Sequence, residues 1–416
     1  MRHRVLDAPG LRDDFYCSVM AYDPNCNTLA VGLGSLLYGW SETSGVSLIN
    51  AGVGDGSWLT SVAFSSEQGE KSILAFGRSN GRLSLMSLFE QLLPRFDTQQ
   101  TVPVACLSWR PSPTRRASLN PLSGGASVQT EGLLVGDEQG DLYYYSVEWP
   151  DPWEVNRHNW RGAMTLLAHV KVHTQQICGL SWSPTGEQFA TGGNDNVCCL
   201  FDLKTIDDTD RSSGGSNSPQ PTPALKRLPA GSEKHRWQHG AAVKAIAFCP
   251  WREGLVATGG GSNDKCIHFF HASSGAALAT ISVAAQVTSL IWSTTRREIV
   301  ATFGYAQPDH PYRIAVFSWP DCRQVAAIPW EGDHRALYAI AYPGGPSDTY
   351  RTRKRLRSRT AVEGCIVVAS SDESGKFHEV WTAGRKATTG LDSGLLAGSD
   401  ILEMTEGIDK EGDVIR

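Results

Sequence analysis

The chain has 416 residues, a formal net charge of −5 at pH 7 and 19% charged residues. This small charge imbalance argues against nucleic acid or a membrane surface as an obligatory partner. Ten cysteines occur without any C-x-x-C pair, which argues against a zinc ribbon and favours reduced, packed thiols.

The chain is built from copies of one pattern. Each copy begins with an apolar run and a turn. A second apolar run follows, which often ends in Ala-Thr and then Gly or Phe-Gly. Another turn leads to alternating apolar residues that end on an aromatic residue. Three short strands per copy, repeated at about forty residues or more, are typical of a propeller. Copies begin at Ser18, Ser61, Val104, Ile177, Val243, Val287 and Leu337. We therefore predict an all-β, seven-bladed β-propeller of WD repeats that forms one domain over residues 1–382.

A short apolar segment, Arg4-Val5-Leu6-Asp7, lies upstream of the first copy. In WD-type repeats the sequence unit is offset from the blade, so we expect this segment to add a strand to the last sheet. Such a closure pairs a strand edge that would otherwise invite aggregation.

Insertions interrupt the pattern. Polar stretches near 110–128 and 205–236 predict surface loops. A basic run within 345–360 is consistent with a nuclear-localisation or acidic-partner patch and equally with a solvated loop. Residues 383–416 lose the pattern and are rich in glycine, serine and acids, which predicts a flexible tail.

Catalytic motifs receive little support. Residues 77–81, GRSNG, satisfy the G-x-S-x-G pattern of serine hydrolases, but they join two predicted strands, so a hairpin turn is favoured. No H-x-x-x-H pair lies on a predicted helix, as the helical metal-binding type requires, and no phosphate-binding glycine loop precedes a helix. We therefore expect no enzyme activity, no metal and no cofactor. Without a signal-peptide pattern or an apolar run long enough to cross a bilayer, the protein is expected to be soluble and intracellular.

Several motifs resemble the fizzy family, the substrate-binding co-activators of the anaphase-promoting complex. They are RVLDAPGLRDDFY from Arg4, GGNDN from Gly192, AVKAIAFCPW from Ala242, ATGGGSNDKCI from Ala257 and AAQVTSLIWS from Ala284. The resemblance spans residues 4–381, and generic WD repeats share neither LDAP…DDFY nor the CPW-then-GGG element.

The resemblance implies recognition of degradation motifs on cell-cycle or meiotic proteins. An R-x-x-L destruction box needs carboxylates for its arginine. The family places these between the first and last blades, and the matching positions are Asp14 and Glu373. They become neighbours only if the ring closes as predicted.

A K-E-N motif needs a cation for its glutamate and amide or hydroxyl partners for its other side chains. The positions that match the family are Asn194, Ser262, Gln286 and Arg335. Without the resemblance, GGNDN would be interpreted as a hairpin turn, and Asp13-Asp14 would be interpreted as part of a solvated loop.

The chain ends on Ile415-Arg416, which the resemblance implies docks into helical-repeat subunits of the ligase. The family's basic D-R-[YF]-I-P box is not found before Arg4, and both a shortened chain and a diverged member are consistent with this. The resemblance thus implies a non-catalytic substrate adaptor in the nucleus and cytoplasm. A WD-repeat scaffold that kept the fold without activating the ligase is the alternative, and a propeller hydrolase is remote.

Overall fold

The computed structural model describes residues 3–52, 54–90, 93–207, 225–342, 364–381 and the backbone of 410–411. Their contacts form two compact units: a central unit, Asp23–Trp237, and a terminal unit, Met1–Tyr22 with Gln238–Arg416. The prediction of a single folded domain stays a prediction. Among the described residues, no helix is long and apolar enough to cross a membrane.

The chain begins with β1 (His3–Asp7) and then forms sheets in sequence order. Sheet I contains β2 (Met20–Asp23), β3 (Thr28–Leu33), β4 (Leu36–Ser41) and β5 (Gly45–Asn50). Sheet II contains β6 (Leu59–Phe64), β7 (Ile73–Arg78), β8 (Arg82–Ser87) and β9 (Phe96–Gln99). A short 3-10 helix, Glu67–Gly69, lies between β6 and β7.

Sheet III is the largest and has the order β10-β12-β13-β14-β18, with β11 paired to β12. Its strands are β10 (Val104–Trp109), β11 (Thr114–Ala117), β12 (Ser127–Asp137), β13 (Asp141–Glu148), β14 (Ala163–Lys171) and β18 (Lys226–Leu228). Sheet IV contains β15 (Ile177–Trp182), β16 (Gln188–Gly193), β17 (Val197–Asp202) and β19 (His235–Gln238). The helices α1 (Pro152–His158) and α2 (Leu203–Ile206) are short.

Three further sheets follow. Sheet V contains β20 (Val243–Phe248), β21 (Leu255–Gly260), β22 (Cys266–His271), β23 (Ala277–Ser282) and the two-residue β31 (Lys410–Glu411). Sheet VI contains β24 (Ala285–Trp292), β25 (Glu298–Ala306), β26 (Tyr312–Ser318) and β27 (Gln324–Pro329). Sheet VII has the order β1-β30-β29-β28, with β28 (Ala336–Tyr342), β29 (Cys365–Ser370) and β30 (Ser374–Glu379).

The seven sheets confirm the predicted seven-bladed β-propeller. The predicted strand at Arg4–Asp7 is also confirmed, because β1 pairs antiparallel with β30 and places Arg4 opposite Phe377 and Leu6 opposite Gly375. The pattern of three strands per copy missed the fourth strand of sheets I to VI. The reason is exposure: β9, for example, has one half-buried residue followed by three exposed ones and carries no apolar alternation.

The glycine that ends the second strand of a copy has a packing role. A Cβ on Gly77 would lie 2.3 Å from Val104, one on Gly136 2.8 Å from Ile177, and one on Gly259 2.4 Å from Val287. Each partner stands at or near the start of the next sheet's first strand. The recurring glycine therefore lets consecutive first strands approach closely.

Tryptophans make a second recurring contact. The indole nitrogen of Trp109 donates to the carbonyl of Ala63 (3.0 Å), and that of Trp182 donates to the carbonyl of Ser108 (3.3 Å). Trp292 makes the same bond to Ala247 (3.1 Å). The apolar cores lie between neighbouring sheets, and these indoles satisfy their polar atoms there.

The predicted insertions differ in outcome. The stretch 110–128 is not wholly loop, because Thr114–Ala117 pairs with the beginning of β12. Within 205–236, Lys226–Leu228 pairs in parallel with β14 and residues 208–224 lie outside the described part. The insertion 345–360 and all but two residues of the predicted tail 383–416 also lie outside it. None of the ten cysteines, all of which lie in the described residues, forms a disulfide, and eight of them are buried.

Residues 77–81 form the predicted hairpin turn and not a catalytic elbow. The strands that flank it, β7 and β8, pair antiparallel, and Gly81 has a φ of +85°. The hydroxyl of Ser79 accepts a hydrogen bond from the backbone of Trp58 (3.2 Å). Since a strand follows the turn, the serine lacks the strand-to-helix setting that the hydrolase motif requires.

Candidate functional site

The segment between β1 and β2, residues 8–19, is here called the entry segment. The backbone N–H of Ala8 donates to the carbonyl of Glu373 (2.7 Å), and the N–H of Gly10 donates to the Glu373 carboxylate (2.9 Å). At its other end, Lys244 donates through Nζ to the carbonyl of Cys17 (2.8 Å). The entry segment is therefore fixed at both ends by side chains or turns of the terminal unit.

Glu373 lies in the tight turn between β29 and β30. It has a φ of +58°, and its side chain is exposed. Three residues, Ser371, Asp372 and Glu373, connect the paired strands, and a three-residue turn commonly contains a left-handed residue, even one with a Cβ when further bonds hold it. The backbone and carboxylate bonds to Ala8 and Gly10 supply that support.

Asp14 lies within the entry segment and is half-buried. One carboxylate oxygen accepts from the N–H of Tyr16 (2.8 Å) and the other from the thiol of Cys17 (3.4 Å). Burial, and secondarily the Asp14 carboxylate, raises the pKa of Cys17 to about 12. The structure thus ties the segment that carries Asp14 to the turn that carries Glu373.

Arg335 precedes β28 and is bound from three sides. Its Nη1 donates to the hydroxyl of Tyr305 (3.0 Å), and its Nη2 donates to the carboxylate of Asp13. The guanidinium carbon lies 4.8 Å from the centre of the Tyr305 ring and 6.0 Å from that of Phe15. Its backbone N–H donates to the hydroxyl of Ser371 (2.9 Å). The Nε atom is buried and has no hydrogen-bond partner among the residues that the structure describes.

Gln286 belongs to the same neighbourhood. Its Oε1 accepts from the N–H of Tyr305 (3.4 Å). A Cβ on Gly304 would lie 2.6 Å from Phe15 and 2.7 Å from the Gln286 side chain, so glycine is required for this close approach. Phe15 and Tyr305 pack with their ring centres 5.4 Å apart. Arg335, Gln286 and the entry segment therefore share one cluster with Tyr305 at its centre.

The two remaining predicted residues lie in hairpin turns of different units. Ser262, in the terminal unit, is exposed in the turn between β21 and β22. Asn194, in the central unit, is half-buried between β16 and β17, and its amide donates to Gln175 (2.8 Å). The structure brings Gln286 and Arg335 together, and it places Asn194 in the other unit.

The aspartate beside Asn194 stabilises the GGNDN turn through its contacts with a buried histidine and with the backbone. Asp195 contacts Nδ1 of the buried His173 (2.9 Å), whose Nε2 contacts Thr191 (2.8 Å). Burial acts to raise the pKa of Asp195, but the contact with His173 and the N–H of Thr174 outweigh it and hold that pKa below its ordinary value. The turn-chemistry interpretation therefore holds for Asp195.

One group of three side chains in the described part of the chain has metal-ligand chemistry. Donor atoms of Asp264, Cys266 and His268 lie within 4.8 Å of one another. Asp264, however, already accepts from the N–H groups of Gly240 (2.6 Å) and Cys266 (3.1 Å) and contacts His268 (2.9 Å). The hairpin accounts for this carboxylate without an ion.

Sequence reasoning missed Asp13, Phe15 and Tyr305. Asp13 and Phe15 flank the predicted Asp14, and Tyr305 is 54% exposed. A run of two acids and two aromatic residues, DDFY, was a signal that the neighbours of Asp14 make contacts of their own. What the sequence could not give was the partner of Asp13, because Arg335 is 322 residues away.

The sequence of this chain is similar to one protein family over most of its length. The CDC20/Fizzy WD40 domain model matches residues 6–347. Meiotic fizzy-related protein 2 of Schizosaccharomyces pombe is 32% identical, and the match covers 98% of this chain and 69% of that protein. Meiosis-specific APC/C activator protein AMA1 of Saccharomyces cerevisiae is 30% identical, with 98% and 62% covered. The chain therefore spans only about two thirds of the length of such relatives.

A solved structure agrees. A chain in the crystal structure of the Mitotic Checkpoint Complex superposes with a TM-score of 0.65 and 29% identity, and the match covers 91% of this chain and 95% of the other. The family model covers most of the sequence, including the entry segment and Arg335. The chain belongs to the CDC20/Fizzy WD40 family.

Proposed function

We propose that this protein is a non-catalytic substrate adaptor and activator of the anaphase-promoting complex, which recognises destruction-box and K-E-N motifs of cell-cycle or meiotic proteins. The names of its relatives support the ligase partnership. The observation that carries the motif-binding part is the entry segment, which bonds to Glu373 and also holds Asp14. The ligase supplies the chemistry, and we propose that the protein works in the nucleus and cytoplasm.

Asp14 and Glu373 receive the arginine of R-x-x-L. Both are acids, both have a partly or fully exposed side chain, and both are held by backbone N–H groups that leave further lone pairs on the carboxylates. A guanidinium bound by two carboxylates forms charge-assisted bonds that an ammonium matches less well.

Arg335 receives the glutamate of K-E-N, while Ser262 and Gln286, in the same unit, bond its other polar groups. The assignment of Asn194, which lies in the central unit, stays a prediction from the resemblance. The support is strongest at Arg335, where Tyr305 fixes the guanidinium by a hydrogen bond and by a cation–π contact. A cation held in place before binding loses less side-chain entropy when the ligand arrives.

The test of the destruction-box site is binding of a fluorescent R-x-x-L peptide, followed by anisotropy. Asp14→Asn combined with Glu373→Gln should weaken binding by about 2 kcal/mol, roughly thirtyfold. Glu42→Gln, which removes one charge at an exposed turn residue, is the control. Unchanged affinity in the double variant would reject the destruction-box assignment.

The test of the K-E-N site is a double-mutant cycle. Arg335→Gln in the protein and glutamate→glutamine in the peptide should each weaken binding, and together they should cost little more than either alone. Additive losses would mean that Arg335 does not contact the glutamate.

The test of the ligase partnership is capture of the anaphase-promoting complex from an extract. A chain that lacks Ile415-Arg416 should capture less, and Val414→Ala should capture as much as the natural sequence. These three residues lie outside the described part of the structure. Equal capture by all three forms would reject docking through the terminus.

A further inference from the structure

We propose that Asp13 couples the two predicted motif sites by occupying Arg335 until a K-E-N glutamate replaces it. This proposal rests on the proposed function. It names a regulation of that site by a residue that lies one position before Asp14 in the chain.

The Asp13–Arg335 pair is built to exchange. The Asp13 side chain is 47% exposed and that of Arg335 is 23% exposed. An ion pair in such contact with water contributes little net stability, so a second carboxylate can compete for the guanidinium. In the unliganded protein Asp13 is the competitor that every acidic ligand must displace.

The guanidinium stays in place when Asp13 leaves. Tyr305 holds Nη1 through its hydroxyl and faces the charge with its ring, and Ser371 accepts from the Arg335 backbone. The cation is thus positioned by groups other than Asp13. Exchange of one carboxylate for another therefore needs no rearrangement of Arg335.

Arg335 also has one donor that Asp13 does not use. Nε is buried and has no hydrogen-bond partner within the described part of the chain. On a planar guanidinium it shares an edge with Nη2, the atom that contacts Asp13. A glutamate that replaces Asp13 can bind Nε and Nη2 together as a two-bond fork. This gives the ligand an advantage over Asp13 and relieves the unpaired Nε.

Release of Asp13 changes the other site. Asp13 and Asp14 are adjacent in the entry segment, which Glu373 holds at Gly10. A freed Asp13 carboxylate adds negative charge where Asp14 and Glu373 are proposed to bind the destruction-box arginine. The arginine in turn attracts Asp13 away from Arg335, so each motif favours the state that binds the other. Coupling of this kind is reciprocal.

The experiment is calorimetry with two peptides on the full chain. A K-E-N peptide should bind about 3- to 5-fold more tightly when a saturating R-x-x-L peptide is present. A K-Q-N peptide, which lacks the carboxylate, should show no such gain on the same unmodified protein.

Asp13→Asn should bind the K-E-N peptide about 3-fold more tightly than the natural protein, because the competitor is lost, and should show no further gain with R-x-x-L. Asp333→Asn is the matched control. Asp333 is an exposed acid two residues before Arg335, and its negative charge acts on Arg313. The variant that lacks this charge should keep the natural coupling.

The outcomes separate the two proposals. If both peptides bind and neither changes the affinity of the other, the coupling is wrong and the proposed function stands. If Asp13→Asn keeps the natural coupling, Asp13 is not its cause and this proposal is overturned. If neither peptide binds, the proposed function fails and the coupling fails with it.

Discussion

Two acid–base pairs, one in each unit, differ in their exposure to water. In the central unit, His173 and Asp195 have side chains that are 0% and 7% exposed. In the terminal unit, the Arg335 and Asp13 side chains are 23% and 47% exposed. Burial makes the loss of one partner costly, whereas water replaces a partner cheaply at the surface. The difference separates a buried pair that holds a turn from an exposed pair that, in our proposal, a ligand opens.

The largest effect should follow loss of the buried partner. His173→Ala should lower the free energy of unfolding by about 4 kcal/mol, because Asp195 and Thr191 lose their partner inside the sheet. His169→Ala removes a histidine that also contacts an aspartate, Asp141 (2.8 Å), but is 18% exposed, and should cost about 1 kcal/mol. Urea denaturation measures both, and equal losses would contradict the comparison.

Glu131 extends the comparison to a buried carboxylate without a cation in contact. It is 4% exposed, one oxygen accepts from Ser66 (2.9 Å), and the other has no hydrogen-bond partner in the described residues. Burial raises the pKa of Glu131 to about 7 from an ordinary 4.5. Between these values the folded protein holds a proton that the unfolded chain has lost, so stability falls as the pH rises from 4.5 to 7.

Glu131→Gln should remove that pH dependence. The variant and the natural protein should be equally stable near pH 4.5, and the variant should be more stable at pH 8 by about 3 kcal/mol. Glu148→Gln is the control, because both oxygens of Glu148 accept hydrogen bonds and the variant should be destabilised. Denaturation at a series of pH values tests this, and parallel curves for Glu131→Gln and the natural protein would refute it.

Gly304→Ala tests whether the packing of Phe15 and Gln286 around Arg335, in addition to charge, contributes to K-E-N binding. The new Cβ would displace Phe15 and Gln286, and should cost about 1.5 kcal/mol of stability and weaken K-E-N binding. Gly275→Ala, at a turn glycine with a φ of +76°, serves as a control that should reduce stability without changing K-E-N affinity. If Gly304→Ala leaves K-E-N affinity intact, the position of Phe15 does not matter to the site.

The smallest effect on stability is expected at Asp13. Asp13→Asn should change the free energy of unfolding by about 0.5 kcal/mol or less, and the difference should shrink at high salt. Thermal melting at low and high ionic strength checks this. A loss as large as that of His173→Ala would show that the pair is structural and not exchangeable.

The repeat pattern by itself determined much of the fold. An apolar alternation, a glycine and a closing aromatic residue in each copy predict strands, and seven copies predict seven sheets. The glycines were visible in the pattern because each copy repeats them, although their role is a packing contact between sheets: Gly77, Gly136 and Gly259 each make room for the start of the next first strand. The pattern did not predict outer strands such as β9, because the residues of an exposed edge strand need not alternate between apolar and polar.

The predicted acids and amides were identified by resemblance, and their surroundings were decided only by tertiary structure. Asp13 and Arg335 are 322 residues apart, and no local propensity or spacing links them. They meet because β1 pairs with β30, which brings the entry segment beside the turn before β28. Long-range pairing and burial, and not residue type, decided which carboxylates support the fold and which stand at a cation that a ligand can reach.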